Sequence, residues 1–326
     1  MTFKEFATEV SERIRQKFPN NEVIGERRID KLQGRSYNGL VIKMTNSDVC
    51  MTLDLDAAYR DFTNGMDLEM VFLKVFDSIE NATVPVSQKD LDDVKDYAVV
   101  KEGLIMQLIL VKGNEDLLST LPHRIIKDMA VVYRYMFKCE GKSATFLLNN
   151  EIIREYGITA EQLDKDAAET CMRNRPMSIH GLASVLFGIE TIPESIFVVT
   201  SFIGRFGASV IAYPGALKQI ADRFGSDFIL IPSSVNEVLV IPDNRGVSTD
   251  RLNETIANIN SSVVSPEERL GDHYYHYNRE TDTLEYADEY ERRIGRKGAA
   301  ARKNTARVRT TKKTTTKNRR YRDGRY

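Results

Sequence analysis

The sequence predicts an α+β fold of mixed helices and mainly antiparallel strands, in two lobes, followed by a disordered basic C-terminal tail. Three observations predict it. Apolar residues at helical spacing alternate with short β-branched and aromatic runs, without the strict strand–helix–strand order of a parallel sheet. Hairpin-type turn residues separate several of the strand candidates. After Gly295 the apolar residues vanish except for alanines, Val308 and two tyrosines, too little to offset chain entropy by burial. The remaining composition is ordinary for a globular protein: 326 residues, 42% hydrophobic and 29% charged. It excludes a wholly disordered, collagen-like or disulfide-stapled chain. No repeat of solenoid period is present.

The elements follow in order. Phe3, Phe6, Val10, Ile14 and Phe18 fall at spacings of three and four, one apolar helix face that Pro19 ends. Glu22–Ile29, Tyr37–Met44 and Val49–Leu55 read as strands, with turn residues at Asn38-Gly39 and Asn46-Ser47-Asp48. Residues 66–80 return to helical spacing, closed by Pro85, and Asp90–Val100 reads as a second helix started by Ser87 and Asp90. Gly103–Val111 is a buried strand by length and content. Ala130–Phe137 and Ser143–Leu148 flank a turn at Cys139-Glu140-Gly141-Lys142. Thr159–Cys171 is a helix opened by a capping box, Thr159 with Gln162. Ile196–Thr200 and Ala208–Tyr213 are strands, then Pro214-Gly215 opens a helix over Ala216–Phe224 that Gly225 closes. Phe228–Ile231 and Val238–Ile241 are strands, Ser248–Asn260 a helix, and Tyr274–Tyr277 with Thr283–Tyr286 an exposed aromatic hairpin. The predicted divisions are a first lobe over 1–95, a main lobe over 96–290 and the tail over 291–326.

The formal net charge of −1 conceals a segregation. Of the 46 Lys and Arg, 15 fall in the tail: Arg292, Arg293, Arg296, Lys297, Arg302, Lys303, Arg307, Arg309, Lys312, Lys313, Lys317, Arg319, Arg320, Arg322 and Arg325. Of the 47 acids only Asp323 lies beyond Glu291, so residues 1–291 carry −15 and residues 292–326 carry +14. A polycation of this kind binds phosphate backbones by counterion release without reading sequence. DNA or RNA is therefore the expected partner, with an acidic protein surface or anionic lipid as alternatives. The N-terminus carries acids early and lacks a continuous apolar core, unlike a secretory signal. The longest apolar stretch, Leu104–Val111, falls far short of the ~20 residues of a membrane helix. A cytoplasmic protein without integral membrane association is expected. Cys50, Cys139 and Cys171 are odd in number, far apart and without a CxxC pair, which fits reduced thiols rather than a zinc ribbon or redox site.

Phosphate-loop, dinucleotide-fold, nucleophile-elbow and zinc-protease motifs are absent, and neither cofactor nor metal is expected. Gly204-Arg205-Phe206-Gly207 reads as a bend between apolar segments. His273 and His276 share a face on a helix, where Asp272 or Glu280 would complete a metal set. On a strand, which the tyrosines favour, they point to opposite faces. Asp54 and Asp56 alternate onto one strand face, either a Mg²⁺ pair or a solvated strand end. In Pro122-His123-Arg124, His123 can serve as acid or base and Arg124 as an anion clamp, with Asp128 orienting one of them. The structural alternative caps a helix end with His123 and pairs Arg124 with Asp128 at i,i+4. Asn114 can cap the turn Glu115–Leu118 just before. Glu237 is a base near Ser233, or else Ser233, Ser234 and Asn236 simply form a turn.

Several of these segments carry a family resemblance. The run Asn114, Leu117-Leu118, Pro122-His123-Arg124 and Asp128-Met129-Ala130 resembles the domain of unknown function 5688 family of bacterial proteins. Tyr37-Asn38-Gly39, Asp54-Leu55-Asp56 and Tyr59 also fit it. A second block comprises Gly207-Ala208, Leu217, Ile220-Ala221 and Asp227 through Pro232-Ser233-Ser234, Asn236-Glu237-Val238. It is similar as well to the domain of unknown function 1444 family. The resemblance spans roughly residues 1–280, implies a soluble bacterial protein and brings no activity with it. The function expected is a non-enzymatic binding protein whose tail attaches to nucleic acid. The alternative is a hydrolase of a phosphorylated or nucleic-acid substrate, with His123, Arg124, Asp128 and Glu237 in one cleft.

Overall fold

The computed structural model describes residues 1–32, 35–45, 50–81, 88–139, 142–188, 195–243, 268–271 and 273–295. The turn expected at Asn46–Asp48, the helix at Ser248–Asn260, Ser87 with Pro85, Asp272 and the tail from Arg296 onward lie outside the described residues.

Helix α1 (Phe3–Lys17) opens with a capping box between Thr2 and Glu5. Its apolar stripe packs on a three-stranded antiparallel meander of β1 (Glu22–Lys31), β2 (Arg35–Lys43) and β3 (Cys50–Asp54). Helices α2 (Leu55–Thr63) and α3 (Leu68–Asn81) cover the same core. Phe6, Val10, Ile14, Leu40, Ile42, Phe72 and Ile79 are all buried there. Two expectations are corrected. Asn38-Gly39 is not a turn: it lies inside β2, opposite Arg28 and Arg27. A Cβ at Gly39 would collide with the Thr52 and Ile29 side chains, so glycine serves close cross-strand packing. Asp54 and Asp56 do not share a strand face, because the chain turns helical between them. Asp54 N-caps α2 by accepting from the Ala57 amide at 2.9 Å, and Asp56 accepts from Asn38 N and Nδ2.

The helix expected over Asp90–Val100 is two helices, α4 (Gln88–Asp93) and α5 (Tyr97–Glu102). Asp96 breaks it by capping the Ala98 amide. There follow β4 (Leu104–Leu110), α6 (Glu115–Thr120), β5 (His123–Ile126), β6 (Met129–Cys139) and β7 (Lys142–Leu147). The long β6 pairs antiparallel with β4 on one side and with β5 then β7 on the other, a four-stranded sheet. The hairpin expected around residues 139–142 is present, with Cys139 opposite Lys142. Asn114 makes no capping bond to α6; its Nδ2 donates to Leu110 O instead.

Helix α7 (Asn150–Glu155) was not anticipated, and α8 (Ala160–Asn174) was, with Thr159 as its cap. Strand β8 (Met177–Gly181) and α9 (Leu182–Phe187) precede β9 (Phe197–Ser201). Gly207–Ala212 is a 3₁₀ helix rather than the strand expected at Ala208–Tyr213. All six of its residues are buried, so its unbroken apolar run carried no period to separate the two. Then come α10 (Ala216–Phe224), β10 (Phe228–Ile231), β11 (Val238–Pro242), β12 (Tyr275–Asn278) and β13 (Thr283–Tyr286). A last helix, α11, spans residues 287–295.

The six-stranded antiparallel sheet has the order β13-β12-β10-β11-β9-β8. Its two faces sort by the strand period of two. Val199, Phe228, Leu230, Val240, Tyr275 and Tyr277 join the large core shared with β4, β6, α8 and α10. Val198, Ile229, Leu239, Ile241 and Tyr274 face the other way, toward Tyr290 of α11. Burial on both faces explains why β10 and β11 read as uninterrupted apolar runs. The first strand of the aromatic hairpin expected to be exposed is therefore buried: Tyr274, Tyr275, His276 and Tyr277 are each at most 1% accessible, while Thr283 in the second strand is exposed and residues 284–286 are half-buried. Among the described residues no helix is long and apolar enough to cross a membrane.

Candidate functional site

Alternation along β5 decides the fate of the leading candidates. His123 and Ile125 are exposed on one face, while Arg124 and Ile126 face α8. His123 therefore turns away from Arg124, and its Nδ1 lies 2.9 Å from Leu121 O. Pro122–Arg124 enters a strand, so neither the helix cap nor the i,i+4 pair exists. Arg124 Nε donates to Asp164 Oδ2 at 2.9 Å and its Nη2 to Ala212 O at 2.9 Å. Tyr133 OH holds the other oxygen of Asp164 at 2.8 Å. Arg124 lines a cleft of about 760 Å³ between β5, α8 and the start of α10. Of the four candidates it alone does so.

Asp128 sits in the tight turn from β5 to β6, after Lys127 in the left-handed region at φ 59°. It accepts from Tyr275 OH and pairs with His273 Nε2 at 3.2 Å. Burial pushes its carboxyl up, but the His273 and Tyr275 hydrogen bonds outweigh that and hold it below the ordinary value. Two residues singled out for different reasons, Asp128 and His273, thus meet. Glu237 accepts from Ser234 Oγ at 2.8 Å and Ser233 Oγ at 3.3 Å, and Asn236 N donates to Ser234 Oγ. That is a turn network. His123, Arg124, Asp128 and Glu237 each have separate partners.

His276 points to the opposite face from His273, as a strand requires. It is fully buried, with Glu285 Oε2 3.1 Å from Nδ1, and Asp243 at 3.3 Å and Asp227 at 3.7 Å from Nε2. Its ring stacks on Tyr290 at 3.9 Å. Arg293 completes the group by pairing with Glu285 at 2.8 Å. Arg292 pairs with Asp288 one turn back. Arg292 and Arg293, counted with the tail from sequence, are thus engaged on α11. Among the described residues no group of three or more His, Cys, Asp or Glu is arranged to hold a metal ion.

Sequence reasoning missed one constellation. Gly204–Gly207, noted only as a bend, carries Phe206 beneath Arg134 of β6. Arg205 and Arg134 place their guanidinium carbons 5.0 and 5.3 Å from the Phe206 ring centroid. Arg175, 4% accessible, donates from Nη1 to Arg205 O at 2.7 Å. Arg134 donates to Gln107 Oε1 and Thr145 Oγ1. No carboxylate pairs with any of the three among the described residues. Burial and the Arg205 charge push Arg134 down to about 10, and burial first, with Arg205 adding, lowers Arg175. Gly207 makes the bend possible: a Cβ there would overlap Thr200 Oγ1 and Asn236 O. The signal available in the sequence was three arginines without acids at helical or strand spacing, but their distance along the chain concealed it.

A family model described as a family of unknown function (DUF5688) matches residues 3–279. No curated protein and no solved structure matches the chain.

Proposed function

The chain belongs to the family of unknown function DUF5688, and from that premise, which supplies no activity, we propose that it is a non-enzymatic binding protein whose basic C-terminal segment contacts nucleic acid without reading sequence. The observation that carries this reading is the segregation of charge. Arg292 and Arg293 are neutralised on α11, so the attachment segment begins at Arg296. From there to Tyr326 stand 13 cations and one acid. A hydrolase acting through His123, Arg124, Asp128 and Glu237 has less behind it, since these side chains have separate partners.

The test compares the full chain with a truncation after Gly295, which keeps the Arg293–Glu285 pair. Fluorescence anisotropy with labelled duplex DNA, single-stranded DNA and RNA is read at two salt concentrations. Duplex binding that weakens steeply with salt and is lost in the truncation is the expected result. The slope of log affinity on log salt should approach about −0.9 per neutralised phosphate. Duplex binding retained without residues 296–326 would overturn the reading. So would no binding by either form, which would direct attention to an acidic protein partner.

A further inference from the structure

We propose that the loop 201–206 and the arginines beside it form a second nucleic-acid contact, on the body, specific for single strands: Arg134 and Arg205 hold a backbone phosphate, Arg175 braces the loop from beneath through Arg205 O, and Phe202 stacks a base. The proposal rests on the nucleic-acid reading above and names the form of the partner.

Three observations converge on the loop. The first is charge without a counter-charge. A guanidinium removed from water is stabilised by an anion or a dense set of acceptors, yet the described contacts of the half-buried Arg134 and the buried Arg175 are neutral oxygens and a ring, and the exposed Arg205 beside them adds a third positive charge with only the Phe206 ring against it. Guanidinium groups match phosphate oxygens in pairs. The second is exposed aromatic and apolar surface beside that charge. Phe202 is 80% accessible and Ile203 52%, where core-forming residues have no packing reason to stand in water. Aromatic side chains interleaved with arginine are the means by which proteins hold unpaired strands, because every base offers a π-face. The third is a buried, unpartnered hydroxyl at the root of the loop: Ser201 Oγ has no hydrogen-bond partner in the described structure.

The surroundings fit a single strand better than a duplex. A recess of about 520 Å³ adjoins the loop, lined by Ile203, Arg175, Tyr135 and Phe137. Asp90, Asp93 and Glu102 also line it and repel a second phosphate, so the recess suits a splayed base rather than backbone. Duplex bases are stacked inward and cannot enter such a recess.

The experiment uses the full chain and its variants Phe202→Ala, Phe202→Tyr and Arg205→Gln. Both positions are exposed, so the fold should survive, as matching thermal melts would verify. Anisotropy is measured with labelled oligo-dT, oligo-U and a duplex of equal length. Phe202→Ala should weaken single-strand affinity by about fivefold or more and leave duplex affinity, carried by the tail, in place. Phe202→Tyr should restore it, and Arg205→Gln should weaken it as well. Single-strand affinities of Phe202→Ala and Arg205→Gln equal to wild type would overturn this inference while leaving the tail's role intact. Failure of the wild type to bind any of the three probes would overturn both.

Discussion

Asp128 shows how a single side chain acquires a role that its sequence neighbours do not suggest. Its carboxylate ties the β5–β6 turn to the six-stranded sheet through His273 and Tyr275. Asp243 and Glu285 act similarly around His276: burial raises both carboxyls, while His276 and Tyr290 for Asp243, and Arg293 for Glu285, lower them further than that. All three sit below their ordinary values. Each therefore contributes stability that is complete above the unfolded-chain pKa of ~4 and is lost as pH falls through the lower folded value. Urea midpoints should hold steady from about pH 7 to about pH 5 and fall below about pH 4. Asp128→Asn should cost about 1 kcal/mol at neutral pH, a figure reduced for its partial exposure, and should make the acid limb shallower.

At the scale of elements, α11 and the 201–206 loop depend on contacts far away in sequence. Helix α11 is short and charged, and it is held by Tyr290 on His276 and Arg293 on Glu285. Arg293→Ala would leave Glu285, 19% accessible at its side chain, without its cation. The expected loss is about 1.5–3 kcal/mol in chemical denaturation, and truncation after Tyr290 should show the same loss whereas truncation after Gly295 should not. The loop depends on Gly207. Gly207→Ala should cost about 1–3 kcal/mol by forcing Thr200 and the 236 backbone apart. Because it displaces Arg205 and Phe206, it should also weaken single-strand binding. Gly225→Ala, at φ 69° but in open space, should cost about 1 kcal/mol without touching binding. A binding loss equal in the two variants would show that instability alone is being read.

For the molecule as a whole, the sequence by itself determined the α+β class, most strand and helix positions, the capped start of α8, and the separation of an acidic body from a basic end. Those properties are local: period, cap and turn residues, and charge counts act within a few residues of each other. Where the local signal was ambiguous it misled. Gly207–Ala212 is apolar on every side, and Asn38-Gly39 has turn residues that serve instead as a close-packed strand crossing. Only the tertiary structure decided which charged groups meet. It separated His123 from Arg124 by strand alternation, joined Asp128 to His273 across 145 residues, drew Arg293 into the fold, and gathered Arg134, Arg175 and Arg205 around Phe206. The physical reason is that partnership between such groups depends on distances of a few ångströms and on desolvation, both set by how sheets and helices pack.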